Sequence, residues 1–417
     1  MIALKETLVT RIRRGAKKIK QRRRYFLLSL FLIVIAALFL PFGAKGRGWA
    51  SAESSEEAAA LEQLGVTVEE LLASLDTAEL EAYLNSLADF KDVSLKEKLL
   101  SLITGDYTLD YSSLGESILH FVWQEAETML PAFAVILAVS LLCGVLNLLK
   151  NGFLHSTMSD IINFVGYIAV GAVTFACLVD VLKGGFSAVT NMKKQMDLVY
   201  PILLTLMAAS GGGVSAAMYR PAVAFMSGAI TNLFSTVVMP IAVVVIVLSF
   251  LGNLNEDVRT DKLGEFFKSA SKWVVGLALG IFSIFLSVQG ITAAQYDGIS
   301  LRAAKYVISG SVPIVGGFLS GGVEIVIAGS ALIKNALGSF ALFLLFGVLL
   351  RPVLLFTALQ LFLRLSAAAT EPAGGKISSF LSKMAGDTGY FLAAILSVGF
   401  LYFLTLLLML FSTGVMY

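Results

Sequence analysis

From residue 131 to the C-terminus, apolar residues run in stretches too long for a strand and too uniform for the one-sided stripe of a soluble helix. Segments able to enter or cross a bilayer fall at residues 131–149, 161–182, 222–236, 238–252, 273–293, 336–350, 352–369 and 389–412. A helix rises about 1.5 Å per residue, so about nineteen residues reach nearly 30 Å, the thickness of the hydrocarbon layer. Two further stretches, 201–217 and 311–332, are apolar but rich in Gly and Ser, which predicts broken or re-entrant helices rather than plain spans. Ahead of residue 129 the pattern changes. Leu80, Leu84, Leu87 and Leu95, Leu99, Leu102 recur at helical spacing among polar residues. Asp76 with Glu79, Ser94 with Glu97, and Ser113 with Glu116 fit side-chain-capped helix starts. Residues 53–128 therefore read as three or four short amphipathic helices, with Tyr83, Phe90, Tyr107 and Tyr111 on a small core or partner face.

The membrane region also matches itself. Pro201 and Pro313 are 112 residues apart, as are Pro240 and Pro352. Ser210-Gly211-Gly212-Gly213-Val214 corresponds to Ser320-Gly321-Gly322-Val323, and Leu286-Ser287-Val288 recurs as Leu396-Ser397-Val398. Residues 201–291 are thus expected to superpose on 313–400, directly or with inverted topology, with Pro240 and Pro352 at equivalent helix starts. Paired Gly-interrupted segments in two halves point to a site or pathway at the membrane midplane; alternatively, Gly and Ser simply let helices pack closely. The charged stretch 256–272, with Lys262, Lys268 and Lys272, is expected along an interface with its charges in water, and 374–386 is a weaker copy.

Composition agrees with a membrane protein: 57% of the residues are apolar, 14% are charged, and mean hydropathy is +0.84. A soluble domain carries about 25% charged residues, so ordinary cytosolic catalysis and nucleic-acid binding are disfavoured. The net charge of +2 conceals a segregation. Nine Lys and Arg between Arg11 and Arg24 precede an apolar run from Tyr25 to Phe42, followed by Ala50-Ser51-Ala52, the small-x-small pattern of a cleavage site. This is a signal peptide or a retained signal anchor, and either way the basic arm stays in the cytoplasm and residues from 53 onward are exported. Residues 51–130 then carry seventeen of the 29 acids. The domain reading is a basic arm and signal or anchor at 1–52, an acidic helical extracytoplasmic segment at 53–128, two transmembrane helices within 129–199, repeat 1 at 200–293, and a loop with repeat 2 at 294–417. Loop charges leave the orientation of the repeats open, because 253–272 has four bases and four acids.

Ionisable groups within apolar segments are expensive and are the first candidates for function. They are Asp180, Glu324, Lys334, Arg351 and Arg364, with Arg220 beside Pro221. Glu324 follows Gly321-Gly322, where a break could let the carboxylate reach freed backbone; the structural alternative is an ion pair with Lys334 or Arg351. Asp180 and Arg351 lie near segment ends and are expected to snorkel. The glycines assigned to the broken helices are Gly211, Gly212 and Gly213 in one half and Gly321 and Gly322 in the other. The sequence has no phosphate-binding loop, no zinc-protease or serine-hydrolase motif, and only two Cys (Cys143, Cys177) and two His (His120, His155), so no enzyme, cofactor or metal site is expected.

Three runs carry a family likeness: Tyr200-Pro201-Ile202-Leu203-Leu204-Thr205-Leu206-Met207-Ala208-Ala209-Ser210-Gly211-Gly212-Gly213, Gly298-Ile299-Ser300-Leu301-Arg302-Ala303-Ala304-Lys305-Tyr306, and Ser311-Val312-Pro313-Ile314-Val315-Gly316-Gly317. With the exported acidic segment, they resemble stage III sporulation protein AE of endospore-forming bacteria over roughly residues 60–412. The resemblance implies an all-α, multi-pass protein of the mother-cell membrane around the forespore. It also implies membership of the stage III sporulation complex, which meets stage II sporulation protein Q from the forespore side. Two functions stay open: a component that forms or anchors a conduit in that complex, and a secondary permease moving a small solute through the repeat interface.

Overall fold

The computed structural model describes residues 55–86, 94–104, 127–145, 156–254, 262–285, 315–373 and 376–412, with isolated positions between. The expectations for the N-terminal arm, for Ser113 with Glu116, for Pro313, His120 and His155, and for the loop before residue 315 fall outside these residues. Every described element is helical. The acidic stretch forms three helices, α1 (Ser55–Ser74), α2 (Ala78–Ser86) and α3 (Leu95–Thr104). Ser94 caps α3 as its sequence indicates, its Oγ accepting from the Glu97 N–H at 3.4 Å. At α2 the start falls one residue later than Asp76: the Thr77 carbonyl accepts the first intrahelical bond from Glu81 N–H at 2.8 Å.

Among the described residues, six further helices are long and apolar enough to cross a membrane: α4 (Glu127–Val145), α5 (Ser156–Ala209), α6 (from Gly213 to Leu254), α7 (Lys262–Phe285), α8 (Val315–Thr370) and α9 (Lys376–Phe411). The eight expected segments become fewer because prolines interrupt the apolar runs without ending the helices. Pro201 lies inside α5 and Pro352 inside α8. In α6, two π stretches, Phe225–Ile230 and Phe234–Val238, lead directly into the α-helical turns that hold Pro240. Neither Pro240 nor Pro352 therefore begins a separate helix. Proline interrupts one backbone bond, which neighbouring helices and a local widening of the helix absorb at membrane depth. The polar stretch 183–197 and the amphipathic segments 262–272 and 376–386 are likewise turns of α5, α7 and α9, with no breaker to detach them.

Contacts fix the helix directions. α8 and α9 form an antiparallel hairpin: Ser378 Oγ donates to the Ala367 carbonyl at 2.8 Å near the turn, the Phe356 and Phe391 rings stack at 5.2 Å, and Lys334 Nζ donates to the Leu410 carbonyl at 3.0 Å at the far end. α6 and α7 form a second hairpin with the same sense. Thr260 Oγ1 donates to the Leu248 carbonyl at its turn, and Phe225 stacks on Phe282 further along. α5 runs against α6, with Tyr167 bonded to the Phe250 carbonyl at one end and Lys193 to Asn232 Oδ1 further up. It runs alongside α9, pairing Phe186 with Phe391, Tyr200 with Tyr402, and Met207 with Ser412. Helices α5 to α9 thus alternate in direction. The turns near residues 260 and 373 lie at one end, called lower here, and the turn at Ser210 lies at the other, upper end.

Where lipid replaces water, helices associate through close packing rather than apolar burial. Gly185 faces Phe391 and Ile395, Gly171 faces Phe250, and Gly399 faces Leu349 so closely that an added Cβ would collide with each. Outside this core, Leu361, Leu277, Ile281, Ile284 and Phe400 are exposed, an apolar surface suited to lipid.

The turn between α5 and α6 is the break expected at the first Gly-rich stretch. Gly212 N–H bonds back to the Met207 carbonyl at 2.9 Å and Gly211 N–H to that of Ala208 at 3.2 Å, a paired C-terminal cap whose turning residue, Gly211, has φ of 88°. A side chain there meets its own backbone, so Gly211→Ala is expected to cost about 1–2 kcal/mol. Gly212, at φ of −90°, should tolerate the same change. Unfolding of the two variants in detergent measures the difference. The second break does not form: Ser320-Gly321-Gly322 lies inside α8, which runs unbroken from Val315 to Thr370. Glycine in a helix weakens it by about 1 kcal/mol, too little to end one whose neighbouring turns are packed.

Candidate functional site

The strongest constellation of charge was not singled out in the sequence. Asp387, on the fourth turn of α9, is buried at 2% exposure in the bundle. Its two carboxylate oxygens are each engaged: Lys268 Nζ of α7 contacts Oδ1 at 2.5 Å, and Ser249 Oγ of α6 donates a short hydrogen bond to Oδ2. One turn further along α9, the Tyr390 ring lies under two ammonium groups, with Lys268 at 5.6 Å and Lys272 at 5.2 Å from its centre. Lys268 and Lys272 were expected in water along a surface; instead the α7 helix turns Lys268 inward, where its side chain is 19% exposed. The cluster ties both strands of the α6/α7 hairpin to α9 near the lower end. Asp387 had a sequence signal, since it is the last acid of the chain and is followed by a long uncharged run.

Lys334 is the second buried charge. It is 1% exposed, and its ammonium meets the Leu410 carbonyl in the last turn of α9. Unsatisfied carbonyls and the negative pole of the helix gather there, so a cation is the complementary group. Neither Glu324 nor Arg351 can reach it. All three sit on the continuous α8, ten and seventeen residues apart, or about 15 and 25 Å along the axis. The expected ion pair of Glu324 with Lys334 or Arg351 is therefore excluded by helix geometry. Glu324 is exposed and lies about 15 Å beyond Lys334 along α8, which runs unbroken past Gly321-Gly322, so the helix break expected beside it does not form. Arg351 is exposed at mid-height, close to the contact of Leu349 with Gly399. Asp180 lies within α5, exposed, and pairs with Lys183 at 3.8 Å. Gly213 begins α6 with open space beside it. Among the described residues, no three His, Cys, Asp or Glu side chains gather to hold a metal.

The acidic helices dock on the upper part of the bundle. α1 lays Leu71, Val68 and Thr67 against Gly329 of α8, and Lys96 of α3 donates to the Ala73 carbonyl at 3.4 Å. Leu80 and Leu84 of α2 are buried, and the Tyr83 hydroxyl reaches the Asn191 carbonyl of α5 at 3.5 Å. Burial pushes the Tyr83 phenol up to about 12. The unfolded phenol titrates near 10, so the neutral phenol's contribution to docking is full below that pH and is lost as pH rises from about 10 to about 12. Docking of α2 should therefore weaken over this window, and Tyr83→Phe should remove that dependence. Hydrogen exchange of residues 78–86 in detergent checks it.

Such a bundle of alternating apolar helices with buried, paired charges defines a multi-pass α-helical membrane protein. The family model for stage III sporulation protein AE matches residues 93–413, from α3 to the end of α9, and the chain belongs to that family. It is 26% identical over 390 residues to stage III sporulation protein AE of Bacillus subtilis (strain 168), covering 92% of this chain and 96% of the relative. No solved structure matches.

Proposed function

We propose that this protein is a non-catalytic membrane component of the stage III sporulation complex, sitting in the mother-cell membrane around the forespore and forming or anchoring a transport conduit there. The observation that carries this reading is the family match, which runs from α3 through α4 to α9. The docked acidic helices support it: α1, packed on Gly329 of α8 beyond the level of the Lys334 and Leu410 contact, would offer a partner-binding surface at the upper end. Stage II sporulation protein Q and other complex members are the partners this surface would meet. Lys262, Lys268, Lys272, Arg364 and Lys383 all belong to the lower end, in keeping with a cytoplasmic face.

The test is in the sporulating host. A single cysteine at Ser86, which is exposed on α2, should react with an impermeant thiol reagent from outside the mother-cell cytoplasm. The tagged chain should bring down the other stage III complex proteins. Reaction only after the membrane is broken, or a chain that purifies alone, contradicts the reading. A secondary permease is the second reading. It is favoured by the two hairpins of equal sense, each with a proline 112 residues from its counterpart, which would be a direct duplication. That reading requires solute movement by the purified chain alone in vesicles.

A further inference from the structure

The outward face of α5 carries a run of exposed polar and charged residues. Asp180, Lys183, Ser187, Thr190, Lys194, Asp197, Pro201 and Thr205 are all exposed. They recur every three or four residues, one continuous stripe about 37 Å long. No large apolar side chain interrupts it. This part of α5 runs beside α9 from the Phe186 and Phe391 contact at 5.3 Å to the Met207 and Ser412 contact at 3.6 Å. Over that length α9 carries no charged residue. Lipid is a poor neighbour for four charges and three hydroxyls beside such an uncharged run.

The adjoining face of α6 continues the polar surface. Lys193 reaches across to Asn232 Oδ1 at 3.4 Å, and Arg220 is exposed. Between the two helices opens a cleft of about 690 Å³, with Asp197 and Thr205 on one wall and Arg220 and Ser227 on the other. Lys183, Lys193, Lys194 and Arg220 outnumber Asp180 and Asp197 by four to two, an excess of two positive charges along the face.

Resting on the conduit reading above, we propose that the α5 stripe, with the α6 edge beside it, lines a water-filled pathway that favours small anionic solutes. Water satisfies the exposed charges and hydroxyls through the membrane, and the excess of cations raises the local concentration of anions.

The experiment uses the full chain in its assembled complex in sporulating cells. Cys143 and Cys177 are first replaced by Ala, and spore yield is checked. Single cysteines are then introduced at Ser187, Thr190 and Thr205, and at the lipid-side controls Leu361 and Ile281; only variants that keep normal spore yield are scored. A small negatively charged and a small positively charged methanethiosulfonate reagent are compared. The stripe positions should react and the controls should not. The negative reagent should gain at least several-fold over its ratio on a free thiol, and Lys194→Glu should reverse that gain at Thr190→Cys. Stripe positions that stay unreactive overturn the proposal, as do positions that cross-link between copies without reacting with either reagent. Reaction without preference for the negative reagent overturns the anion selectivity. Normal spore yield and intact complex alongside an unreactive stripe would leave the complex role standing and remove only the lining.

Discussion

Replacing Asp387 by Asn should destabilise the bundle by about 3 kcal/mol, the low end of the range for removing one partner of a buried ion pair, because the remaining Lys268 keeps 19% of its side chain exposed. The lost energy is mainly the cost of leaving an ammonium inside the bundle with its counter-charge gone; the Ser249 bond goes with it. Lys268→Met alone should be similarly costly, stranding a carboxylate that is 2% exposed. The double variant Lys268→Met with Asp387→Leu should recover most of the loss, since two apolar side chains of similar volume replace the pair without a stranded charge. A double-mutant cycle on unfolding of the detergent-solubilised chain isolates the coupling. Additive losses would mean that the pair does not join α7 to α9.

Lys334 predicts a second large effect of opposite chemistry. Lys334→Met keeps the length of the side chain but removes the cation at the terminal carbonyls of α9, a loss of about 2 kcal/mol for a buried cation at a helix C-terminus. Lys334→Glu places a carboxylate against carbonyl oxygens in a buried site, and the chain should fail to accumulate in the membrane. Equal membrane levels and equal melting of wild type, Lys334→Met and Lys334→Glu would show that this lysine does not hold the α8/α9 hairpin closed.

Much of the fold was legible because the membrane leaves few choices. An uncharged run such as residues 389–412 can be little other than a spanning helix, and Ser94 with Glu97 announced the start of α3. The break at Gly211 was legible for the same kind of reason, since few other residues accept its backbone angle. Proline was the misleading signal. Pro240 and Pro352 read as helix starts by the rules of soluble proteins, yet each continues a longer helix, because a lost backbone bond is local while the apolar surface on both sides of it still has to cross the bilayer. Gly321-Gly322 misled in the same way. Charge was harder still. Lys268 and Asp387 are 119 positions apart, and nothing short of the packing of α7 on α9 brings them together. Conversely, Glu324 and Lys334 are near in sequence but sit on one rigid rod that holds them apart. The polar stretch 183–197 belongs to α5, and the recurrence of its hydrophilic residues every three or four positions marks one face of that helix.

The central claim, that this membrane bundle and its docked acidic helices serve the stage III sporulation complex, is tested most directly by removing the chain from its endospore-forming host and restoring it in two forms. Cells lacking the chain should grow normally but stop after the forespore is engulfed. The full chain should restore spores, while a chain lacking residues 55–104 should reach the membrane and fail to restore them. Normal spores without the chain, or full rescue by the form lacking residues 55–104, would contradict the account.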